Sequence, residues 1–246
     1  MTKVGIVITN YNYEQYLVDC LQSCIDQTYK LDEIIVVDDC STDESTKVVT
    51  VFMDKGPVTL VSMPRNQGYA SARNEGIRRC TCDLIAELDA DDMLLPDSIK
   101  DRAMFLIENE QYDIAHGIAM RYYTEDGSIR GHNPKTYIHP QGRMFRRNVF
   151  EKFGLYFEGL RAKADKEMVF RLGVHPQSPL PKLVKDKKLE IPVAFYRKHP
   201  TQMHRLRNAD KAYDKAIDAI FKRRIKQIKK EGITRDNTLF LESLNG

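Results

Sequence analysis

Apolar residues in this chain gather first into short continuous runs and then into helical spacing, and the two patterns alternate through the first hundred residues. Residues 4–9 form a run rich in β-branched side chains that stops at Asn10-Tyr11-Asn12, the signature of a buried strand ending in a polar loop. Residues 16–27 then carry Leu17, Leu21, Cys24 and Ile25 on one helical side. A second strand is expected over 33–37, ended by Asp38-Asp39-Cys40-Ser41-Thr42-Asp43, where Ser41 or Thr42 would cap the helix running through Val48 and Val49. A third strand over 58–63, a helix over 69–79 and a fourth strand over 84–88 follow. Strands alternating with helices predict an α/β fold with a doubly wound, mostly parallel sheet.

Past Pro96 the pattern loosens. It predicts a helix over 97–109, a strand over 114–123, a turn at Glu125-Asp126-Gly127-Ser128 and a strand over 191–195, with 143–152 and 163–172 as further segments between them. Residues 208–231 place Tyr213, Ile217, Ile220, Phe221, Ile225 and Ile228 at helical spacing against Lys215, Lys222, Arg223, Lys226, Lys229 and Lys230, a basic amphipathic helix.

With 42% hydrophobic and 30% charged residues, the 246-residue chain has material for a substantial core, which excludes a disordered or fibrous protein. The amino-terminal run is too short for a signal peptide, and no apolar run approaches the roughly 20 residues of a membrane span, so a cytoplasmic protein is expected. Cys20, Cys24, Cys40, Cys80 and Cys82 are an odd count without disulfide-scaffold spacing and read as reduced, buried thiols rather than a zinc site. The net charge of +3 hides an asymmetry: residues 197–231 hold twelve Lys and Arg against four Asp and Glu, a net +8 that leaves −5 on the rest. An acidic body can hold a cation, and a basic tail can face phosphates.

Ligands of open α/β sheets sit beyond the carboxyl ends of the strands. Three of the first four strand ends carry polar clusters, Thr9-Asn10-Tyr11, Asp38-Asp39 and Asp89-Ala90-Asp91-Asp92, which should converge on one cleft. Neighbouring carboxylates repel one another, and a divalent cation relieves that conflict; oxygen donors favour Mg²⁺ or Mn²⁺ over zinc.

Together these motifs resemble the inverting glycosyltransferases of family 2, whose nucleotide-binding fold is called GT-A. The resemblance runs through Val7-Ile8-Thr9-Asn10-Tyr11-Asn12, Ile34-Ile35-Val36-Val37-Asp38-Asp39-Cys40-Ser41-Thr42-Asp43, Arg65-Asn66-Gln67-Gly68, Ala72-Arg73-Asn74-Glu75-Gly76 and Leu88-Asp89-Ala90-Asp91-Asp92. It is close over residues 1–100 and looser over 140–200. It implies a GT-A catalytic domain over 1–205, with a nucleotide-sugar half (1–100), an acceptor half (101–205) and a helical basic tail over 206–246. Thr9, Asn10 and Tyr11 would then line the base pocket and Asp39 would read the base, usually uracil, so the implied donor is a UDP-sugar. Asn66 and Gly68 would lie near the nucleoside, and Arg73 would meet either a phosphate or a structural carboxylate. In the Asp-x-Asp element, Asp89 would contact the ribose or a metal-bound water and Asp91 would ligate the metal.

Inverting transfer needs a base to take the proton of the attacking hydroxyl. Family members place an aspartate, usually after a glutamate, at the start of a helix with an arginine six residues on. Asp165 and Arg171 match that spacing, but Ala164 stands where the glutamate is usual; Lys163 and Lys166 flank Asp165, and Glu167 is the reserve candidate. Tyr196-Arg197-Lys198-His199 matches a late element whose histidine ligates the metal or touches the diphosphate, which nominates His199. His139-Pro140-Gln141-Gly142-Arg143 falls where an acceptor loop would lie. The expected acceptor is a saccharide or a lipid-linked sugar, and the tail would dock on the body, meet an anionic membrane surface or meet nucleic acid. Two rival readings are a transferase acting on modified nucleic-acid bases and a degenerate module that binds nucleotide-sugar or nucleic acid without turnover. No glycine-rich phosphate loop follows the first strand, which disfavours a nucleotidyltransferase or a dinucleotide oxidoreductase.

Overall fold

The computed structural model describes residues 1–124, 129–130, 140–160, 163–200, 202 and 211–232. The expected turn at 125–128 and His132, His139 and His204 lie outside them, as do the side chains of Tyr213 and Ile217.

Among the described residues, nine strands form one sheet. They are β1 (Val4–Asn10), β2 (Glu33–Asp38), β3 (Val58–Ser62), β4 (Leu84–Asp89), β5 (Met93–Leu94), β6 (Ile114–Tyr123), β7 (Ile129–Arg130), β8 (Arg143–Arg146) and β9 (Asp186–Lys198). The order is β3-β2-β1-β4-β8-β6-β9-β5, with β7 beside β6. The first four strands in that order pair in parallel, as do β6 and β9. Strand β8 is antiparallel to both β4 and β6 and so joins the two parallel halves. The helices are α1 (Glu14–Ile25), α2 (Ser45–Met53), α3 (Tyr69–Arg79), α4 (Ser98–Glu108), α5 (Arg147–Phe153), α6 (Ala164–Arg171) and α7 (Lys211–Glu231). Among the described residues, no helix is long and apolar enough to cross a membrane.

The continuous apolar runs are explained by a sheet buried on both faces. Side chains alternate along a strand, so Ile6, Ile8, Ile34, Val36, Leu84 and Leu88 pack on one face with Leu17, Leu21, Ile99 and Leu106 of α1 and α4. Val7, Ile35, Val37 and Ile85 face the other way, onto Ala70 and Ile77 of α3 and Phe150 of α5. Gly76 lets α3 sit against β1, since a Cβ there would overlap Cγ1 of Val7. Cys20, Cys24, Cys80 and Cys82 are buried, as expected, and Cys40 is half-buried.

Two sequence expectations need correction. Helix α2 begins at Ser45, not next to Ser41 or Thr42: Asp43 accepts the Ser45 amide at 3.0 Å, while the Ser41 hydroxyl donates to Asp38 at 2.6 Å. Strand β9 runs through Asp186–Lys198, well beyond 191–195. Its outer half alternates between exposed and partly covered positions, so the charges at Lys187, Lys188 and Glu190 had masked it.

Candidate active site

Parallel register delivers the polar clusters to one place. Thr9 pairs with Asp89 across β1 and β4, and Asn10 with Asp38 across β1 and β2, so the carboxyl ends of three strands lie side by side. The Asp89–Asp92 turn is closed by the Asp92 amide donating to the Asp89 carbonyl at 3.0 Å. The end of β9 then reaches the turn from the other half of the sheet. The Arg197 amide donates to Asp92 Oδ1 at 2.8 Å, its Nε donates to the Asp91 carbonyl at 2.8 Å, and its guanidinium pairs with Asp19 at 2.9 Å. Two residues on, His199 is fully buried with Nε2 3.0 Å from Asp91 Oδ2, and the rings of Tyr13 and Tyr16 hold its imidazole.

Carboxyl oxygens of Asp89, Asp91 and Asp92 lie within 4.8 Å of one another. Burial is the largest influence on Asp89 and, with Asp91 and Asp165 nearby, pushes its carboxyl up to about 6 against the pull of Arg73. Burial, with the charges of Asp91 and Asp89, raises Asp92 well above the carboxylate range, and its Oδ2 is buried without a hydrogen bond. A crowded set of carboxylates with one orphaned oxygen and an adjacent imidazole fits a hard divalent cation. Asp91 and His199, with Asp89 and Asp92 beside them, are the residues that would hold it.

Arg73 is fully buried and turned toward the turn. Its Nη2 pairs with Asp89 and donates to Thr9 and Tyr69, and its Nη1 donates to the Val7 carbonyl, so of its two expected partners it meets the carboxylate. Gln141 completes the cradle by donating to Asp89 Oδ2 at 2.8 Å. Gln141 belongs to the stretch expected as an acceptor loop, but its contact with Asp89 was not legible there, because that contact exists only once β8 lies beside β4. Tyr13 and Tyr16 escaped notice for a similar reason: Tyr13 falls in the loop after the first strand and Tyr16 at the start of the expected helix, and neither position points to His199.

The expected nucleoside side is less open. Asp38 is engaged by Asn10 and Ser41, which makes Asn10 a bracket between strand ends, while Tyr11 is exposed. Both oxygens of Asp39 accept backbone amides, from Gln67 at 2.8 Å and Gly68 at 2.7 Å, and Asn66 donates to its carbonyl. Asp39 thus ties the 66–68 loop to β2. Positive φ angles in non-glycine residues among the described chain occur at Asn12, Cys40 and Lys163, all in loops that border this cleft, where strained backbone commonly collects.

Lys163 ends that third loop and Asp165 opens α6. Asp165 is half-buried, and its charge is felt by both Asp89 and Tyr69, which sets it on the cleft side. Ala164, in the place of the usual glutamate, is sealed in the core. Lys163 pairs with Asp218 of α7 at 2.7 Å, and Lys166 lies over Phe170 and Phe221. Glu167 is fully buried and bound to Arg171 at 3.0 Å, which removes it from contention as a base. Arg171 also donates to the carbonyls of Phe153, Gly154 and Leu155, so it anchors the chain ahead of α6. His116 is buried against Asp186 at 3.0 Å, remote from the acidic turn in its bonding, and His175 stacks on Phe170.

The fold is of GT-A type. Residues 5–168 match the model of glycosyl transferase family 2, and the chain belongs to that family. It is 30% identical over 154 residues to glycosyltransferase GlyA of Streptococcus pneumoniae, a match covering 63% of this chain and 21% of that one. Among solved structures, S. aureus TarS 1-349 in complex with UDP-GlcNAc superposes with a TM-score of 0.66 at 18% identity, covering 81% of this chain and 60% of the other. Mannosyltransferase PcManGT of Pyrobaculum calidifontis, in complex with GDP-Man and Mn²⁺, gives 0.65 at 17% identity, with 84% and 60% covered. The chain spans less than half the length of the curated relatives it matches.

Proposed function

We propose that this chain is an inverting, metal-dependent glycosyltransferase that moves a sugar from a nucleoside-diphosphate donor, a UDP-sugar, to a saccharide or lipid-linked acceptor. The observation that carries this reading is the Asp89–Asp92 turn at the carboxyl ends of parallel strands, with His199 3.0 Å from Asp91 and Asp165 on the same cleft. A Mn²⁺ or Mg²⁺ ion held by Asp91 and His199 would offset the charge that develops on the departing diphosphate. The protein's own groups do the rest. Thr9, Asn10, Tyr11, Asp39, Asn66 and Gly68 border the nucleoside side, with Asp39 still able to accept a base N–H because a carboxylate has more lone pairs than the two amides use. Arg73 neutralises and orients Asp89 toward the ribose. Asp165 takes the acceptor proton as its oxygen attacks the anomeric carbon opposite the leaving diphosphate. Both neighbouring lysines lean toward α7, which leaves the aspartate to face the cleft. GlyA bears the transferase name and supports the reaction class, TarS in complex with UDP-GlcNAc supports the UDP-sugar donor, and PcManGT in complex with GDP-Man and Mn²⁺ supports the metal.

The test is a panel of UDP-, GDP- and dTDP-sugars incubated with the protein and Mn²⁺, with and without chelator, scored for released nucleoside diphosphate. Chelator-sensitive release from a UDP-sugar is expected. Release that ignores the chelator would sink the metal assignment, and release from a GDP- or dTDP-sugar alone would replace the donor.

A further inference from the structure

We propose that the junction of α6 and α7 is a binding site for a phosphate-class oxyanion, centred on the guanidinium of Arg224. Glu167 lies at the base of this junction, fully buried, with two arginines directed at it. Arg171 takes the carboxylate at 3.0 Å and satisfies its other nitrogens on three backbone carbonyls. Arg224 comes in from α7, 3% exposed, with Nε 3.6 Å from the same carboxylate. None of its three guanidinium nitrogens has a hydrogen-bond partner. Two guanidiniums against one carboxylate leave a positive charge inside the protein, and the Phe157 ring 4.7 Å away offers it only a π face. Buried charge without hydrogen bonds is costly, and burial accordingly pulls Arg224 below the usual arginine range.

Arg224 lines an open hollow of about 320 Å³. Phe157 and the aliphatic stems of α7 make its walls apolar, while Arg223, Lys226 and Lys230 add three more cations and Glu231 the one carboxylate. Glu231 already accepts Gln227 at 3.1 Å. A planar fork with free donors, flanked by mobile ammonium groups, suits a tetrahedral dianion such as a phosphate ester. The hollow is larger than one phosphate, so it accommodates the group the phosphate is attached to. Arg224 is 3% exposed, and the hollow's exposed, long side chains at Arg223, Lys226 and Lys230 give its lining the freedom to rearrange around an entering oxyanion. The site is built by α6, α7 and Phe157, and its occupancy does not depend on the identity of the sugar donor.

Two sources share this chemistry, a soluble phosphate ester and a phospholipid headgroup. The whole chain is titrated calorimetrically with inorganic phosphate in the presence of EDTA, which keeps the acidic turn free of metal-borne phosphate. Saturable binding is expected, weakened roughly tenfold or more in Arg224→Gln, as befits loss of a charge-assisted hydrogen-bonding group. The double variant Arg223→Gln, Lys226→Gln changes only exposed side chains, and its affinity should also fall while its melting curve stays that of the parent. In a second arm the same proteins are floated with phosphatidylcholine vesicles with and without phosphatidylglycerol. Arg224-dependent flotation on the anionic vesicles identifies a headgroup, and Arg224-dependent phosphate binding without flotation identifies a soluble ester. The inference is overturned if both arms are indifferent to Arg224 and to the double variant, or if phosphate binding is lost in Asp91→Asn and kept in Arg224→Gln.

Discussion

Asp89 is held by three donors of different chemistry: the Arg73 guanidinium, the Thr9 hydroxyl and the Gln141 amide. Each fixes a different direction, so the carboxylate is oriented before anything binds. Groups behind a metal site typically set affinity by about 10–100-fold. Gln141→Leu should therefore weaken Mn²⁺-dependent donor binding by roughly 10–100-fold, read by calorimetric titration; an unchanged affinity would reduce Gln141 to a packing residue. In the proposed mechanism Asp165 acts in the chemical step and not in donor capture. Asp165→Asn is expected to lower turnover by roughly 10²–10⁴-fold while donor affinity stays nearly intact, measured by single-turnover rates beside donor titration. Loss of both in parallel would assign Asp165 to binding. The sequence exposed Asp89, Asp91 and Asp92 because they fall within one short stretch directly after an apolar run. The bond of Gln141 to Asp89 was hidden because the two stand 52 positions apart, and only strand pairing brings them together.

At the level of elements, legibility followed burial. Strands β1, β2 and β4 are covered on both faces, so each had to be written almost wholly in apolar residues and could be seen without a structure. Strand β8, Arg143–Arg146, begins and ends in arginine: Arg143 is buried and Arg146 donates to the Tyr112 carbonyl, so its charges serve the interior while resembling a surface turn. Strand β5 has two residues, too few to show any period. Helix α3 illustrates a constraint that periodicity cannot express. Gly76 is chosen for closeness to Val7 and Val37 and not for backbone freedom, since no positive φ is recorded there. Gly76→Ala should destabilise by about 1–3 kcal/mol through overpacking, measured by urea denaturation. Adding Val7→Ala should recover part of that loss, because Val7 is the nearest atom source; strictly additive losses would show that the helix, not the contact, is at fault.

Across the whole molecule the sheet divides the core in two and carries the acidic turn at the carboxyl ends of its parallel strands. The acidic turn is a local fault in this arrangement, a place where carboxylates are buried closer than their charges favour. Any cation that binds there stabilises the native state through mass action. At a Mn²⁺ concentration about 100-fold above its dissociation constant the gain is about 2.7 kcal/mol, equivalent to roughly 5–10 °C in melting temperature for a chain of this size. Differential scanning calorimetry should show that rise in the parent, its reversal by chelator and its absence in Asp91→Asn. A parent whose melting temperature ignores Mn²⁺ would remove the cation from the site.

The bond between the Arg197 amide and Asp92 spans 105 positions, and it has a consequence for how each copy is made. A ribosome adding about 5–20 residues per second needs roughly 5–20 s to cover that distance. Throughout that interval the parallel strands can already pair, and the nascent chain carries its acidic turn with neither the amide of Arg197 nor the imidazole of His199 to receive it. A ribosome stalled in that stretch, or a transcript broken there, releases a half-sheet whose β6 lacks its partner β9, an open edge that invites pairing with other chains. Quality control of this protein is thus written into its topology: arrival of the partners of the acidic turn and pairing of the open β6 edge are the same late event of translation.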